Sequence, residues 1–220
     1  FLIISGDVFT DFDLSPAVQS HEKKKAKATI ILTHASNPLQ YGVVLTHDDG
    51  KISRFLEKPS WGEVFSDTIN TGIYILEPEV LDLIPPKEEF DFSKGLFPIL
   101  LEQDMGLYGY IAEGYWKDVG NLNEYQDAHS DALRGLVKAT IPGEKRGNLH
   151  IGSNCRIDTD PKSLSGVVIV GKNTHIHSDV TIANSVIGDD CEIQPGSVIR
   201  NCVIWNGTKI GTNVEMSTDV

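Results

Sequence analysis

Residues 170–216 read VGKNTHIHSDVTIANSV (170–186), IGDDCEIQPGSVIRNCV (187–203) and IWNGTKIGTNVEM (204–216). Large apolar residues recur at steps of six, six and five, at Val170, Ile176, Ile182, Ile187, Ile193, Ile199, Ile204, Ile210 and Met216. The pattern therefore repeats every 17 residues (187 − 170 and 204 − 187). Three short strands per repeat predict a triangular parallel β-helix, in which each coil buries its apolar face against its neighbours. A matching earlier coil opens at Ile151, 19 residues before Val170.

Two further columns support this register. Small residues stand four positions after the first apolar residue of each coil, at Cys155, Thr174, Cys191 and Thr208. Residues that tolerate a left-handed backbone precede them, at Asn154, Asn173, Asp190 and Gly207. A small side chain suits a crowded inner position, which explains two of the three cysteines by packing. Because three cysteines are too few for a disulfide framework, we expect a reducing compartment, the cytoplasm.

Charge and hydropathy exclude two classes of partner. The formal net charge of −12 argues against nucleic acid, whose phosphates require clustered Lys and Arg side chains on one face. No apolar stretch approaches the length of a membrane span, so no membrane partner is expected.

The chain before residue 137 has the pattern of an α/β domain. Residues 1–5 form a continuous apolar run, a helix is predicted to start within Asp13-Leu14-Ser15-Pro16 and to continue through about Lys25, and a second β-rich run covers residues 28–33. A β-α-β unit of this kind indicates a mostly parallel sheet. We therefore predict an α/β domain over residues 1–136, a linker over 137–150 and the β-helix over 151–220. Because Phe1 stands in mid-strand without a preceding Met, we interpret the chain as a fragment.

Four short motifs in the first domain combine turn residues with charge. They are Gly6-Asp7, Glu57-Lys58-Pro59, Asn70-Thr71-Gly72 and Trp116-Lys117-Asp118-Val119-Gly120. Each motif alone is more often an ordinary cap or turn than a functional site. In this order and spacing, over about residues 1–125, they resemble the sugar-phosphate nucleotidyltransferase family. The β-helix points to its mannose-1-phosphate guanylyltransferase and glucose-1-phosphate nucleotidyltransferase branches, whose members often carry this module.

The resemblance implies a Rossmann-like nucleotidyltransferase domain followed by a left-handed β-helix of hexapeptide repeats. It also implies a reaction in which a sugar 1-phosphate and a nucleoside triphosphate give a nucleoside diphosphate sugar, here expected to be GDP-mannose, and pyrophosphate. Both reactants are anions, and the family uses Mg²⁺, which the resemblance assigns to Asp7 and Asp118. Lys58 matches the lysine that contacts the sugar 1-phosphate, so the expected catalytic set is Asp7, Lys58 and Asp118. The expected sugar-binding positions are Gly42, Glu57, Asn70, Thr71 and Gly72; for Gly42, simple relief of strand crowding is an equal alternative.

The family's Gly-rich signature loop, which cradles the triphosphate, does not occur in this sequence. We therefore expect these 220 residues alone not to turn over. A homo-oligomer formed through the β-helix is also expected. Two alternatives stay open: a non-catalytic regulatory homologue that binds sugar nucleotides, and a hexapeptide-repeat acyltransferase whose active site lies in the β-helix. Against the acyltransferase, no catalytic histidine stands on a loop that projects from the coils.

The histidines form no metal-binding pattern in the sequence, at His34, His47, His129, His175 and His177. His175 and His177 flank Ile176. Alternation along a strand turns both toward solvent, so we interpret them as surface residues rather than ligands.

Overall fold

The computed structural model describes all 220 residues, and the chain forms two compact units, Phe1–Asp118 and Val119–Val220. The boundary predicted at residue 136 differs from this division because the helix at Leu122–Leu133 packs within the second unit. No helix in the chain combines the length and apolar character required to cross a membrane.

The first unit contains eight strands and two α-helices. Their bounds are β1 Leu2–Ile4, β2 Val8–Thr10, α1 Ser15–Lys24, β3 Ala28–His34, β4 Gly42–Thr46, β5 Ile52–Glu57, β6 Thr68–Leu76, α2 Phe97–Glu102, β7 Leu107–Ile111 and β8 Trp116–Asp118. Short 3₁₀ turns occupy Pro38–Gln40, Trp61–Glu63 and Pro78–Leu83, and a π-helical turn at Phe92–Leu96 leads into α2.

Six of these strands form one sheet, in the order β5-β4-β6-β3-β7, with β1 also paired to β6. Strand β6 is antiparallel to β1, β3 and β4, β5 is antiparallel to β4, and β7 is parallel to β3. The α/β class is confirmed, but the expectation of a mostly parallel sheet needs correction. Strands β1, β3, β4 and β7 run in one direction, whereas four of the five hydrogen-bonded pairings are antiparallel. The reason is that β6, which runs in the opposite direction, lies between β1 and β3.

The larger of two buried clusters in this unit packs against α2; the smaller includes Ala17 of α1 and Ile31 of β3. Ile30 and Leu32 from β3, Leu76 from β6 and Phe97 and Leu100 from α2 are fully buried. Aromatic rings interlock here, with Phe97 edge-on to Phe55 and Tyr74 at centroid distances of 5.5 and 5.1 Å. Tyr74 therefore anchors one wall of the cleft described below to the rigid core.

The second unit begins with α3, Leu122–Leu133, and continues as a stacked-coil β-solenoid. The strands are β9 Glu144–Arg146, β10 Leu149–Ile151, β11 Arg156–Ile157, β12 Leu164–Val170, β13 His175–Ile176, β14 Thr181–Ile187, β15 Glu192–Ile193, β16 Val198–Arg200, β17 Val203–Ile204, β18 Lys209–Ile210 and β19 Glu215–Ser217. Apart from the β9–β10 hairpin, all pairings are parallel.

The predicted 17-residue register is confirmed. Residues of the same column are direct neighbours in the ladders, so that Val170 pairs with Ile187, Ile187 with Ile204, and Ile176 with Ile193. Ile151 pairs with Val170, which confirms the earlier coil and its 19-residue offset. Ile176, Ile182, Ile193 and Ile199 are fully buried, as an inner apolar column requires.

The corner residues also occupy the predicted conformation. Asn154, Asn173 and Asp190 have φ of 59°, 57° and 56°, in the left-handed region. Their side chains form a ladder along the solenoid: Asn154 Nδ2 donates to Asn173 Oδ1 at 3.2 Å, and Asn173 Nδ2 donates to Asp190 Oδ1 at 2.9 Å. Cys191, in the small-residue column, is buried, which raises the pKa of its thiol and favours the packing role.

A glycine column brings successive coils into close contact. A Cβ atom placed on Gly171 would lie 2.4 Å from the carbonyl carbon of Gly188 and 2.5 Å from the backbone nitrogen of Asp189. A Cβ atom on Gly152 would meet the next coil in the same way, 2.5 Å from the nitrogen of Lys172. Because these neighbours are backbone atoms with ladder partners of their own, glycine is required at both positions by close approach.

Helix α3 packs on the coils through polar and aromatic contacts. Gln126 Nε2 donates to the carbonyl oxygen of Asn201 at 3.1 Å, and the Tyr125 ring meets Trp205 edge-on at 6.3 Å. Asn121 caps the helix by accepting a hydrogen bond from the backbone nitrogen of Glu124. These contacts make α3 part of the solenoid unit.

Candidate functional site

A polar cleft of about 210 Å³ lies within the first unit. All eight residues that the sequence analysis selected line it: Asp7, Gly42, Glu57, Lys58, Asn70, Thr71, Gly72 and Asp118. The remaining lining residues are Ser5, Val8, Gln40, Tyr41, Tyr74, Ser93 and Trp116. Three larger cavities, of about 430, 500 and 550 Å³, lie in the second unit and contain none of the motif residues. The motifs, which span more than half of the chain, therefore converge on one cleft.

Two carboxylates, those of Asp7 and Asp118, line the cleft. Asp7 lies in the turn after β1, directly before β2, and the antiparallel β2–β8 ladder pairs Val8 with Asp118. Asp118 is thus opposite the neighbour of Asp7, although the two are 111 residues apart in sequence (118 − 7). The ladder is extended where Thr10 Oγ1 donates to the carbonyl oxygen of Tyr115 at 2.7 Å. The carboxylate oxygens of Asp7 and Asp118 are hard donors, the type of ligand that Mg²⁺ prefers.

The Glu57-Lys58 pair enters the cleft from the end of β5. Glu57 pairs with Gly42 across the β4–β5 ladder, and a Cβ atom on Gly42 would lie 2.7 Å from Glu57 Oε2. The glycine therefore leaves the space that the carboxylate fills. Lys58 has φ of 46°, and its backbone nitrogen donates to the carbonyl oxygen of Tyr41 at 3.0 Å. This left-handed turn ends the strand at the cleft.

The Asn70-Thr71-Gly72 motif lies inside β6 and distorts it; it is not a turn between elements. Its pairing with β3 shifts register between Ile30 and Leu32, and Gly72 has φ of 75°. A Cβ atom on Gly72 would also lie 2.7 Å from Ser5 Oγ. Both the positive φ and this close approach therefore favour glycine at the position. Asn70 Oδ1 accepts from the backbone nitrogen of Gly72 at 2.9 Å, which turns the amide group of Asn70 along the cleft.

Three lining residues that the sequence did not single out hold these groups in place. Tyr74 Oη accepts from Asn70 Nδ2 at 3.1 Å, and Ser93 bonds to both Tyr74 and Glu57. Trp116 Nε1 donates to the carbonyl oxygen of Thr71 at 3.0 Å. Trp116 stands within a quoted motif, so its position offered a signal. Ser93 offered none, because its side chain reaches the cleft from the turn before α2.

Burial raises the pKa of the Glu57 carboxyl, and this effect exceeds the opposing attraction of Lys58. The folded chain thus binds this proton more strongly than the unfolded chain does. The resulting stabilisation is fully present below the unfolded pKa and is lost as the pH rises through the folded pKa. At neutral pH the ionised carboxylate consequently opposes folding.

Glu57→Gln is therefore expected to raise the free energy of unfolding at neutral pH, by about 0.5–1 kcal/mol. The gain should shrink at a pH below the folded pKa, where the wild-type carboxyl is protonated. Thermal unfolding of both proteins at the two pH values measures the effect. Equal melting temperatures at neutral pH would contradict it.

Fold and cleft together define the class. An α/β domain with paired carboxylates and a lysine in a polar cleft, followed by a hexapeptide solenoid, is typical of nucleotidyltransferases with an appended solenoid. A family model for nucleotidyl transferases matches residues 1–135, and one for bacterial transferase hexapeptide (six repeats) matches residues 167–201. The chain belongs to the nucleotidyl transferase family.

Its relatives are sugar-1-phosphate nucleotidyltransferases with different substrates. The chain is 38% identical over 98% of its length to a UTP–glucose-1-phosphate uridylyltransferase of Synechocystis sp.. It is 28% identical over 90% of its length to a mannose-1-phosphate guanylyltransferase of Mycobacterium tuberculosis. It is also 28% identical over 97% of its length to a glucose-1-phosphate adenylyltransferase of Desulfitobacterium hafniense. The chain spans 57%, 55% and 61% of these relatives, somewhat more than half of their length.

Proposed function

We propose that this protein transfers a nucleotidyl group from a nucleoside triphosphate to a sugar 1-phosphate and releases pyrophosphate. The observation that carries the proposal is the convergence of Asp7, Lys58 and Asp118 with the polar Glu57 and Asn70 on one cleft of the first unit. A regulatory homologue without catalysis would not need the two carboxylates and the lysine together. The histidines His175 and His177 lie in or directly after a strand, which gives the acyltransferase alternative no projecting catalytic loop.

The metal ion is assigned to Asp7 and Asp118, which would hold Mg²⁺ through their carboxylate oxygens. Mg²⁺ binds through one or two protein carboxylates together with substrate phosphates, and the donor set here fits that preference. When bound, the ion neutralises phosphate charge and orients the phosphate groups for in-line displacement. The two aspartates also explain how an acidic chain receives anionic substrates, because they bind them through the cation.

Lys58 is assigned to the phosphate of the sugar 1-phosphate. Its ammonium group is a compact point charge, suited to a single phosphate oxygen. The left-handed backbone at Lys58 and the hydrogen bond from its nitrogen to Tyr41 fix the start of the side chain at the rim of the cleft. The positive charge of Lys58 attracts the sugar phosphate in addition to the metal ion and does not take the place of the ion.

The sugar hydroxyl groups are assigned to Glu57 and Asn70, whose oxygens accept and whose amide donates. Thr71 takes a supporting role: its hydroxyl donates to the carbonyl oxygen of Ile31 at 2.7 Å, and its own carbonyl accepts from Trp116. Gly72 keeps the backbone of β6 close to the cleft. A site built from paired polar groups rejects a sugar that lacks the matching hydroxyl, because those groups would be left unpaired.

The base and the sugar are to be fixed by assay. The sequence favours guanylyl transfer to mannose 1-phosphate, whereas the Synechocystis relative is a UTP–glucose-1-phosphate enzyme. The product of the complete gene is incubated with Mg²⁺, glucose 1-phosphate or mannose 1-phosphate, and each of GTP, UTP and ATP, and pyrophosphate is measured. The pair with the highest kcat/KM identifies the product. Absence of pyrophosphate with every pair would refute the proposed reaction.

Gly42→Ala tests the sugar end of the cleft. The new methyl group would lie 2.7 Å from Glu57 Oε2 and 2.8 Å from Phe55 Cζ, so the carboxylate must move. Because misplacement of a binding group by about 1 Å can cost two orders of magnitude, we expect kcat/KM for the sugar 1-phosphate to fall by about 10- to 100-fold. Gly62→Ala is the matched control, since no atom lies within 4 Å of its added Cβ. Equal kcat/KM values for the two variants would show that Gly42 has no such role.

We also propose a cytoplasmic homo-oligomer assembled through the solenoid. All three cysteines are free thiols, which suits a reducing compartment. Light scattering at several protein concentrations measures the molar mass of the assembly. The same measurement on variants with substitutions on the outer face of the solenoid tests whether this face forms the contact.

A further inference from the structure

A cluster of metal-ligating side chains lies on the outer face of the solenoid, separate from the proposed catalytic residues. It comprises Asp158, His175 and His177, whose ligand atoms all lie within 4.8 Å of one another. None of the four motifs includes these residues, and packing of the inner columns does not require them.

The ladder register explains why they meet. Strand β13 pairs Arg156 with His175 and Ile157 with Ile176, so that Asp158, one residue further along, lies beside His177. Ile176 is fully buried, and the two histidines that flank it share the outward face. The outward orientation agrees with the sequence analysis. The sequence pattern did not indicate the third residue, Asp158, because it lies 17 residues before His175, on the preceding coil (175 − 158).

The side chains are already close to a binding arrangement. His175 Nε2 lies 2.8 Å from Asp158 Oδ2, and the two imidazole rings stack at a centroid distance of 3.8 Å with 30° between their planes. His177 Nε2 is closed off from solvent and has no hydrogen-bond partner; the Glu192 Oε1 atom lies 3.5 Å from it. A buried imidazole nitrogen without a partner is an energetic cost that a metal ion would remove.

We propose that His175, His177 and Asp158 bind a divalent transition-metal ion of the zinc class, with Glu192 available as a further oxygen ligand. Two imidazoles with carboxylate oxygens are the donor set that Zn²⁺ and its first-row neighbours prefer, whereas Mg²⁺ and Ca²⁺ select oxygen alone.

Binding requires two local adjustments. Tetrahedral coordination at Zn–N distances near 2.0 Å places ligand atoms about 3.4 Å from one another. The most distant ligand atoms, up to 4.8 Å apart, must approach, whereas His175 Nε2 and Asp158 Oδ2, now 2.8 Å apart, must separate slightly. Arg156, which is 72% exposed and lies 2.9 Å from Asp158 Oδ2, must swing away. Arg156 is therefore a competitor for the same carboxylate. Once bound, the ion would join three successive coils, those of Asp158, of the two histidines and of Glu192.

The test is a Zn²⁺ titration of the chelator-treated chain by calorimetry, with thermal unfolding in the presence and absence of Zn²⁺. We expect one ion per chain and a higher melting temperature of the solenoid with Zn²⁺. His177→Gln and Asp158→Asn should each weaken binding by at least about 100-fold, because loss of even an outer-shell partner costs 10- to 100-fold. Arg156→Gln should bind more tightly, an effect that a purely structural role of the histidines would not produce.

His34→Gln is the matched control. His34 Nδ1 also lies beside a carboxylate, 3.1 Å from Asp67, but it belongs to no three-residue cluster. Circular dichroism establishes that each variant is folded. Absence of Zn²⁺ binding at micromolar concentrations, or equal affinities of the His177 and His34 variants, would overturn the proposal.

Discussion

Asp118→Asn is expected to lower kcat for nucleotidyl transfer by about 1000-fold or more. The asparagine keeps the size of the side chain and its place opposite Val8 in the β2–β8 ladder, so the fold should persist. What is lost is the negative charge that, with Asp7, would hold Mg²⁺ against the phosphates, and such transition-state electrostatics contribute several kcal/mol. Pyrophosphate release by the product of the complete gene, over a range of Mg²⁺ concentrations, measures the loss.

Asp104→Asn is the matched control for this experiment. Asp104 is another acidic residue of the first unit, but it lies after α2, outside the cleft, and pairs with Lys51 at 2.6 Å on the surface. Its left-handed φ of 53° is one that asparagine also adopts. We expect its kcat to match wild type. A kcat for Asp118→Asn close to that of the control would remove Asp118 from the mechanism and, with it, the assignment of the metal ligands.

Gly171→Ala is expected to destabilise the solenoid by about 3 kcal/mol. Overpacking usually costs 1–3 kcal/mol when side chains can adjust, but here the added methyl group meets the backbone of Gly188 and Asp189 at 2.4–2.5 Å. Neither backbone group can move without breaking the parallel ladder that joins the coils. The cost should therefore reach the upper end of that range.

Gly211→Ala makes the same chemical change where there is space. The nearest atom to its added Cβ is Val214 Cγ2, at 3.9 Å, and we expect its effect to stay within about 0.5 kcal/mol. Hydrogen exchange of solenoid peptides, read by mass spectrometry, reports this unit separately from the first. Equal protection in the two variants would show that coil contact at Gly171 is looser than the distances indicate.

The solenoid could be predicted almost completely because its determinants are local in sequence. A column of apolar residues at Val170, Ile187 and Ile204 fixes the register, and asparagine or aspartate at the corners fixes the turns. Each coil packs only against its neighbours, so its strand pairing depends on residues that are close in sequence. What stayed hidden was the grouping of side chains from different coils on the outer face, such as Asp158 with His175.

In the first unit, the site was easier to predict than the sheet. Asp7, Lys58 and Asp118 were selected because their motifs, in this order and spacing, resemble a known family, and all three line the cleft. Which strands are neighbours is decided by packing across the whole domain, and nothing near β1 or β3 announces that β6 lies between them. Ser93 reaches the cleft through the same global packing. The strand order therefore could not be predicted from the sequence, whereas the motif residues do line one cleft; their roles in catalysis and binding stay predictions.

From Val170 onward the coils repeat every 17 residues, so the length of the solenoid is set by the number of repeats. Neighbouring parallel strands are about 4.8 Å apart, so the duplication of one 17-residue repeat would lengthen the rod by about that distance and recreate each type of contact already present. Length can thus change in fixed steps during evolution without any alteration of the cleft in the α/β unit. The length of the solenoid and the chemistry of the cleft can therefore change independently of each other.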